Sequence, residues 1–332
     1  MIIGAVLLDL LIGDPRFLIH PVEIIGILIK YLKTKVEGLA QENIFLLRIG
    51  GLLLTFSVVF ASFFGGWVLE QLLLTKSAPI LKSFIYFIVL IALASSLASK
   101  SLNQSVSLVI NALNNDDKDL GLARRKLAHI VGRNVSNLQK QEILRAAAES
   151  ASENAVDGIF APLFWMMAGS FIWKLAPGLP GPLAFAWFYK ASSTIDSMIG
   201  YKSEKLRWIG ESGAKLDDIL TFIPCRLVLL TLPLISHNWI KAPSIIKKAI
   251  KDGSYDSSPN SGFSEAIFAY CAQVRMGGTN IYKDKLVSKK IIAKNCPNAN
   301  RNSIKRILSL TLLLELSWVL GFILINKFIL IL

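Results

Sequence analysis

The sequence predicts an all-α, polytopic integral membrane protein, and three observations carry that prediction. Its 332 residues are 53% hydrophobic and only 18% charged, with a mean hydropathy of +0.52, whereas a soluble domain carries about a quarter charged residues. Several runs approach the roughly 20 apolar residues that cross a bilayer, near 49–74, 80–98, 159–175, 179–191, 219–240 and 307–332. The polar stretch 120–154 is rich in helix formers and contains no proline, which predicts helix there too.

Each element follows in order. The apolar run 1–12 lacks a basic n-region and a small-residue cleavage site, so it reads as a retained first helix and not a signal peptide. Pro15 and Pro21 favour extended or turn geometry before them, which places Asp14, Arg16 and His20 on a constrained loop. Asp14 can simply cap a helix there, and His20 can simply bond the backbone. Pro177, Gly178, Pro180, Gly181 and Pro182 form a tight connection between two spans. That connection puts the polar segments 99–158 and 192–218 on one membrane face, and the Lys/Arg distribution makes that face cytoplasmic. Segment 241–306 holds 13 Lys/Arg against 4 Asp/Glu. A single crossing at 219–240 would send it outside, so Pro224 and Pro233 are expected to break that stretch or make it re-entrant. The whole chain, 1–332, reads as one multi-pass domain of the cell (inner) membrane with three polar segments facing the cytoplasm.

Composition excludes several classes. The net charge of +13 sits mostly in 241–306 and fits anionic lipid or an anionic substrate. That segment shows no aromatic-interleaved or zinc-finger pattern, so no nucleic-acid partner is expected. Cys225, Cys271 and Cys296 are scattered and form no CxxC pair, and His20, His129 and His237 are too far apart to suggest a metal cluster. No Walker loop and no GxSxG motif is present.

The candidate chemistry centres on 145–165, RAAAESASENAVDGIFAPLFW. Glu149, Glu153 and Asp157 are four residues apart, so on a helix they form one stripe with Arg145 a turn earlier. Stacked carboxylates repel unless a cation or substrate offsets them, and at the lip of an apolar span they mark a site more often than a solvated face. Asp196 lies at a membrane edge between hydroxyls and suits Mg²⁺, a ribose or a phosphate, or else a helix cap. Arg226 opens an apolar stretch and needs a partner, for which Asp217 or Asp218 is nearest. The stretch SPNSGFSE at 258–265 reads as a turn feeding a helix, capped by Ser261 or Ser264, whose free N–H groups suit a phosphate. In 275–282, RMGGTNIY, Gly277 and Gly278 end that helix and let the backbone approach a ligand.

Taken in order, six blocks resemble the CobD/CbiB family of membrane-bound adenosylcobinamide-phosphate synthases. They are DLLIGDPRFLIHPVEIIG, GRN with the acidic stripe, YKASSTIDSMIGYK, AKLDDILTFIPCR, SPNSGFSEA and VRMGGTNIY. The resemblance covers nearly the whole chain. It implies an ATP- and Mg²⁺-dependent amide ligation joining adenosylcobyric acid to (R)-1-aminopropan-2-ol or its O-phosphate. It implies as partners the corrinoid, the amino alcohol phosphate, the bilayer and other late cobalamin-assembly enzymes. By the same resemblance Glu149, Glu153 and Asp157 hold Mg²⁺–ATP, helped by Asp196 or Asp217. Lys202 and Arg226 stabilise phosphoryl charge. Ser258, Asn260 and Gly262, with Gly277, Gly278 and Asn280, receive a phosphate, and His20 is a further cofactor contact.

The chain departs from the family pattern at Asn134 (usually Asp), Ser193 (usually Asn), Thr221 and Cys225 in TFIPCR, and Ser261 in SPNSG (usually Ala). Three rival readings remain. An AmpE-like regulatory membrane protein would not be expected to retain SPNSG and MGGTN. A CDP-alcohol phosphotransferase shares the spacing from Glu153 to Ala161, but Pro162 stands where its signature has Arg. A transporter would place charges mid-span, whereas these acids are expected at span ends.

Overall fold

A computed structural model of the chain describes residues 1–13, 20–113, 120–200, 206–236, 239–282 and 285–331. The order is α1 (Ile2–Leu11), α2 (Pro21–Ala40), α3 (Ile44–Gln71), α4 (Pro79–Ala94), α5 (Ser99–Ala112), α6 (Gly121–Ala128), α7 (Lys140–Ala155), α8 (Ala161–Leu175) and α9 (Pro182–Ile199). There follow α10 (Leu206–Ile209), α11 (Glu211–Ser236), α12 (Ala242–Gly253), α13 (Ser261–Ala272), a hairpin of β1 (Met276–Tyr282) and β2 (Lys285–Ile292), and α14 (Arg301–Ile331). Five helical stretches are long and apolar enough to cross a membrane: Ile44–Leu74, Pro79–Ala112, Lys140–Leu175, Glu211–Ser236 and Arg301–Phe328. The expected span at 179–191 falls in α9, which is not among them.

The chain divides into two compact units. The first comprises Met1–Ala98 and Ala161–Thr221, the second Ser99–Phe160 and Phe222–Leu332. In the first, α2, α3 and α9 bury Ile29, Val58, Ala191 and Ile195 against one another. Glu70, inside the apolar α3, accepts from the backbone N–H groups of Gly181 (2.8 Å) and Leu183 (2.6 Å) and so satisfies the N-terminus of α9. In the second unit, the core runs through α5, α7, α13 and α14, and Glu315 of α14 accepts from the Ser99 hydroxyl at 2.8 Å. Carboxylates outside the acidic stripe therefore also occur inside apolar helices here. Each is hydrogen-bonded, as burial of a charged group requires.

The stretch 120–154 is helical as expected, in two pieces separated between Ala128 and Lys140. There the Asn134 side chain accepts from the Ser136 N–H at 2.9 Å, an Asx turn, and Gln139 with Glu142 builds a capping box that restarts the helix. Helix α11 is continuous through Pro224 and Pro233 instead of broken. Pro224 leaves the carbonyl of Leu220 without its helical donor, and the Trp165 indole N–H supplies one at 3.1 Å. Finally, 276–282 is a strand and does not end a helix. Gly277 and Gly278 take φ of +80° and +103°, and the pairing with β2 shifts register between Met276 and Gly278. A Cβ on Gly277 would meet the Lys290 carbonyl at 2.1 Å, so glycine there serves the strand pairing.

Candidate functional site

The acidic stripe lies at the end of α7 and in a π-helical turn, Val156–Phe160, that joins α7 to α8. Such bulges recur at functional sites because one extra residue re-aims the side chains around it. The three carboxylates are not equivalent. Glu149 is buried and accepts from Arg133 Nη2 at 2.6 Å, from the Gly277 N–H at 2.8 Å and from Arg145 Nη1 at 3.4 Å. Arg145 donates further to the carbonyls of Gly277 (2.6 Å) and Thr279 (2.9 Å) and to Asn280 Oδ1 (3.0 Å), and Arg133 donates to that same Asn280 oxygen. Glu149 and MGGTN thus form one network in which two arginines clamp the strand to α7. Glu153 and Asp157 are half-buried, and Glu153 feels the charges of Asp157, Lys289, Asp256 and Glu149.

The loop before α13 carries the second cluster. Asp256 accepts from the Ser258 N–H (3.0 Å) and the Ser261 hydroxyl (3.3 Å), and the Ser258 hydroxyl accepts from the N–H groups of Asn260 and Ser261, both at 3.2 Å. The start of α13 is therefore satisfied by Ser258, not by Ser261 or Ser264. Arg226 does not pair with Asp217 or Asp218. Its guanidinium donates to Asn260 Oδ1 (2.5 Å) and the Pro259 carbonyl (2.7 Å), and stacks on Phe222 and Phe263. Gly262 packs on Gly253, where a Cβ would lie 2.3 Å from the Gly253 carbonyl.

Lys289 of β2 joins this loop to α13. Its ammonium lies 2.8 Å from Asp256 and 3.2 Å from Glu265. Burial alone would lower Lys289, but Glu265, Asp256 and Glu153 outweigh it and hold the ammonium charged well above the usual range. Burial likewise acts to raise Asp256, yet Lys289 and the Ser258 N–H hold it below the ordinary carboxylate range. Burial dominates at Glu265 and pushes it up to about 8, helped by Glu149 and Glu153 and opposed by Lys289. Its second oxygen, Oε2, is buried and has no hydrogen-bond partner among the described residues. A cavity of about 220 Å³ is lined by Asp252, Asp256, Gly262, Ser288, Lys289 and Lys290.

The second unit therefore brings together Glu149, Glu153, Asp157, Arg226, Ser258, Asn260, Gly262, Gly277, Gly278 and Asn280 of the sequence candidates. His20, Asp196 and Asp217 belong to the first unit, and Lys202 lies outside the described residues. His20 caps α2, its Nδ1 accepting from the Val22 N–H at 3.2 Å. Asp196 near the end of α9 feels the charge of Asp218. Sequence reasoning missed Arg133, Asp256, Glu265 and Lys289 as site residues. Arg133 and Glu265 sat inside quoted blocks, whereas nothing local marks Lys289, which is 24 residues from Glu265 and reaches it only through the hairpin. Among the described residues no three His, Cys, Asp or Glu side chains converge to hold a metal ion.

These features define a multi-pass helical membrane protein whose second unit carries a partly buried centre of carboxylates, arginines and a lysine. The chain belongs to the CobD/CbiB family, whose model, described as CobD/Cbib protein, matches residues 2–311. It is 40% identical over 290 residues to the cobalamin biosynthesis protein CobD of Synechocystis sp., covering 87% of this chain and 80% of that one. It is 38% identical to the protein of that name from Pelobacter propionicus (87% and 83% covered) and 37% identical to that from Clostridium tetani (88% and 86%). No solved structure matches the chain.

Proposed function

We propose that this protein acts in cobalamin biosynthesis as an amide-forming ligase, joining adenosylcobyric acid to (R)-1-aminopropan-2-ol or its O-phosphate with ATP and Mg²⁺. The observation that carries this reading is the Lys289–Asp256–Glu265 centre beside Glu153 in a family member. The residues fit Mg²⁺–ATP in donor chemistry, because Glu153 and Asp157 offer hard carboxylate oxygens on half-buried side chains. A closed three-carboxylate cage is not required, since Mg²⁺ commonly keeps its waters and takes one or two carboxylates plus substrate phosphates. When bound, Mg²⁺–ATP supplies the phosphoryl group that makes a carboxylate reactive towards an amine.

In this reading Glu153 and Asp157 are the metal-facing carboxylates, and Glu149 is a strut already held by two arginines. Lys289 neutralises phosphate oxygens. Arg226 holds Ser258, Asn260 and Gly262 in place for the phosphate end of the substrate. Glu265, poised near neutral pH, takes the proton that the attacking amine must lose.

The test is growth of a cobalamin-requiring host that lacks this ligation step and is fed adenosylcobyric acid. Rescue by the chain, with rescue lost in Glu153→Gln, supports the ligase. Growth on adenosylcobinamide but never on adenosylcobyric acid, with the chain correctly inserted, points to a non-catalytic relative.

A further inference from the structure

A second cavity of the second unit, about 790 Å³, is lined by five lysines: Lys241, Lys248 and Lys251 along α12 and the turn before it, and Lys290 and Lys294 from β2 and the turn after it. Lys241 and Lys248 are two helical turns apart, and Lys251 follows three residues on, so the helix presents them on one face. The cavity's one carboxylate, Asp252, is already engaged by Lys290 (3.2 Å), the Tyr270 hydroxyl (2.7 Å) and the Ala293 N–H (3.1 Å). Lys241, Lys248, Lys251 and Lys294 have no ion-pair partner among the described residues. Four uncompensated cations around one cavity repel each other unless an anion fills it.

What the anion is follows from the neighbourhood. The membrane-capable helix α11 ends at Ser236, and three residues later Trp239 and Ile240 stand 72% and 66% exposed beside Lys241. Exposed tryptophan next to lysine at the end of a span is the signature of the headgroup level of a bilayer.

We propose that this lysine-lined cavity binds the headgroup phosphate of an anionic phospholipid, with Trp239 and Ile240 set against its acyl region. The cavity shares Asp252 and Lys290 with the smaller cavity lined by Asp256 and Lys289, but its free lysines lie outside that one, and the proposal does not depend on the ligase reading. The test uses the full chain in nanodiscs of phosphatidylcholine with and without phosphatidylglycerol, with retained lipid counted by native mass spectrometry. Phosphatidylglycerol should be retained over phosphatidylcholine. Each lysine is worth about fivefold in anionic-lipid affinity, so Lys248→Glu/Lys251→Glu should cut retention by at least about tenfold. Lys248→Arg/Lys251→Arg should keep it. Undiminished retention in the glutamate protein would overturn the proposal. If that protein does not fold, competition on the unmodified chain decides. Phosphatidylglycerol that resists inorganic phosphate and ATP supports the lipid site, and displacement by either shows a site for soluble anions instead.

Discussion

Replacing Glu149 with alanine removes the acceptor on which Arg133, Arg145 and the Gly277 N–H converge. The Arg133 and Glu149 side chains are only 6% and 7% exposed, so the change leaves a guanidinium buried without its counter-charge. Breaking a buried pair in this way costs about 3–5 kcal/mol, because the remaining charge stays desolvated. For a unit of this size that corresponds to a fall in Tm of roughly 6 °C or more. The chain carries its own reporter. Cys225 and Cys271 are buried, and burial pushes the Cys271 thiol up to about 11, so both should react slowly with a thiol-reactive fluorophore until the second unit opens. Glu149→Gln keeps an acceptor for the Gly277 N–H but loses the charge, and should shift the transition in the same direction by less. Mg²⁺ should not alter the difference, because Glu149 is a strut in this account. An unchanged transition in Glu149→Ala, or a loss of stability seen only with Mg²⁺ present, would refute that role.

Other outcomes follow from the same geometry. Glu153→Gln should abolish turnover while membrane insertion and Tm stay intact, read by product mass and by the thiol melt. Glu265 has its proton affinity raised on folding, from 4.5 to about 8, so the folded state binds the extra proton across that window. Its contribution to stability is therefore lost as pH rises from about 5 to about 8, and the wild type should lose Tm relative to Glu265→Gln over that range. A constant difference across the range would contradict the burial of that carboxyl. Trp165→Phe removes the donor to the Leu220 carbonyl and should cost about 1 kcal/mol. In a Pro224→Ala background, where the backbone N–H is restored, the same change should cost less.

The helical membrane architecture was legible because apolar run length is a direct consequence of bilayer thickness. The acidic stripe was legible as well, since four-residue spacing needs only a helix. What failed were inferences that used sequence proximity in place of space. Sequence proximity points Arg226 to Asp217 or Asp218, whereas it grips Pro259 and Asn260, more than thirty residues away. Pro224 signals a break in the sequence because the rescuing indole of Trp165 lies 55 residues from the Leu220 carbonyl it serves. Lys289 went unnoticed among the many lysines of 241–306, and only the hairpin distinguishes it. The departures from the family pattern read more mildly in three dimensions. Asn134 makes a turn that an Asp would also make, the Ser261 hydroxyl adds a bond to Asp256, and Cys225 donates to the Asn260 carbonyl at 3.4 Å. Nothing in the structure explains Ser193.

The most direct test of the central claim is ligation by the purified full chain. It is supplied with adenosylcobyric acid, Mg²⁺, ATP and either aminopropanol O-phosphate or ethanolamine O-phosphate, and products are read by mass. The account predicts an amide product that requires ATP and disappears in Glu153→Gln. ATP-independent product, or none with either amine from correctly inserted protein, would contradict it.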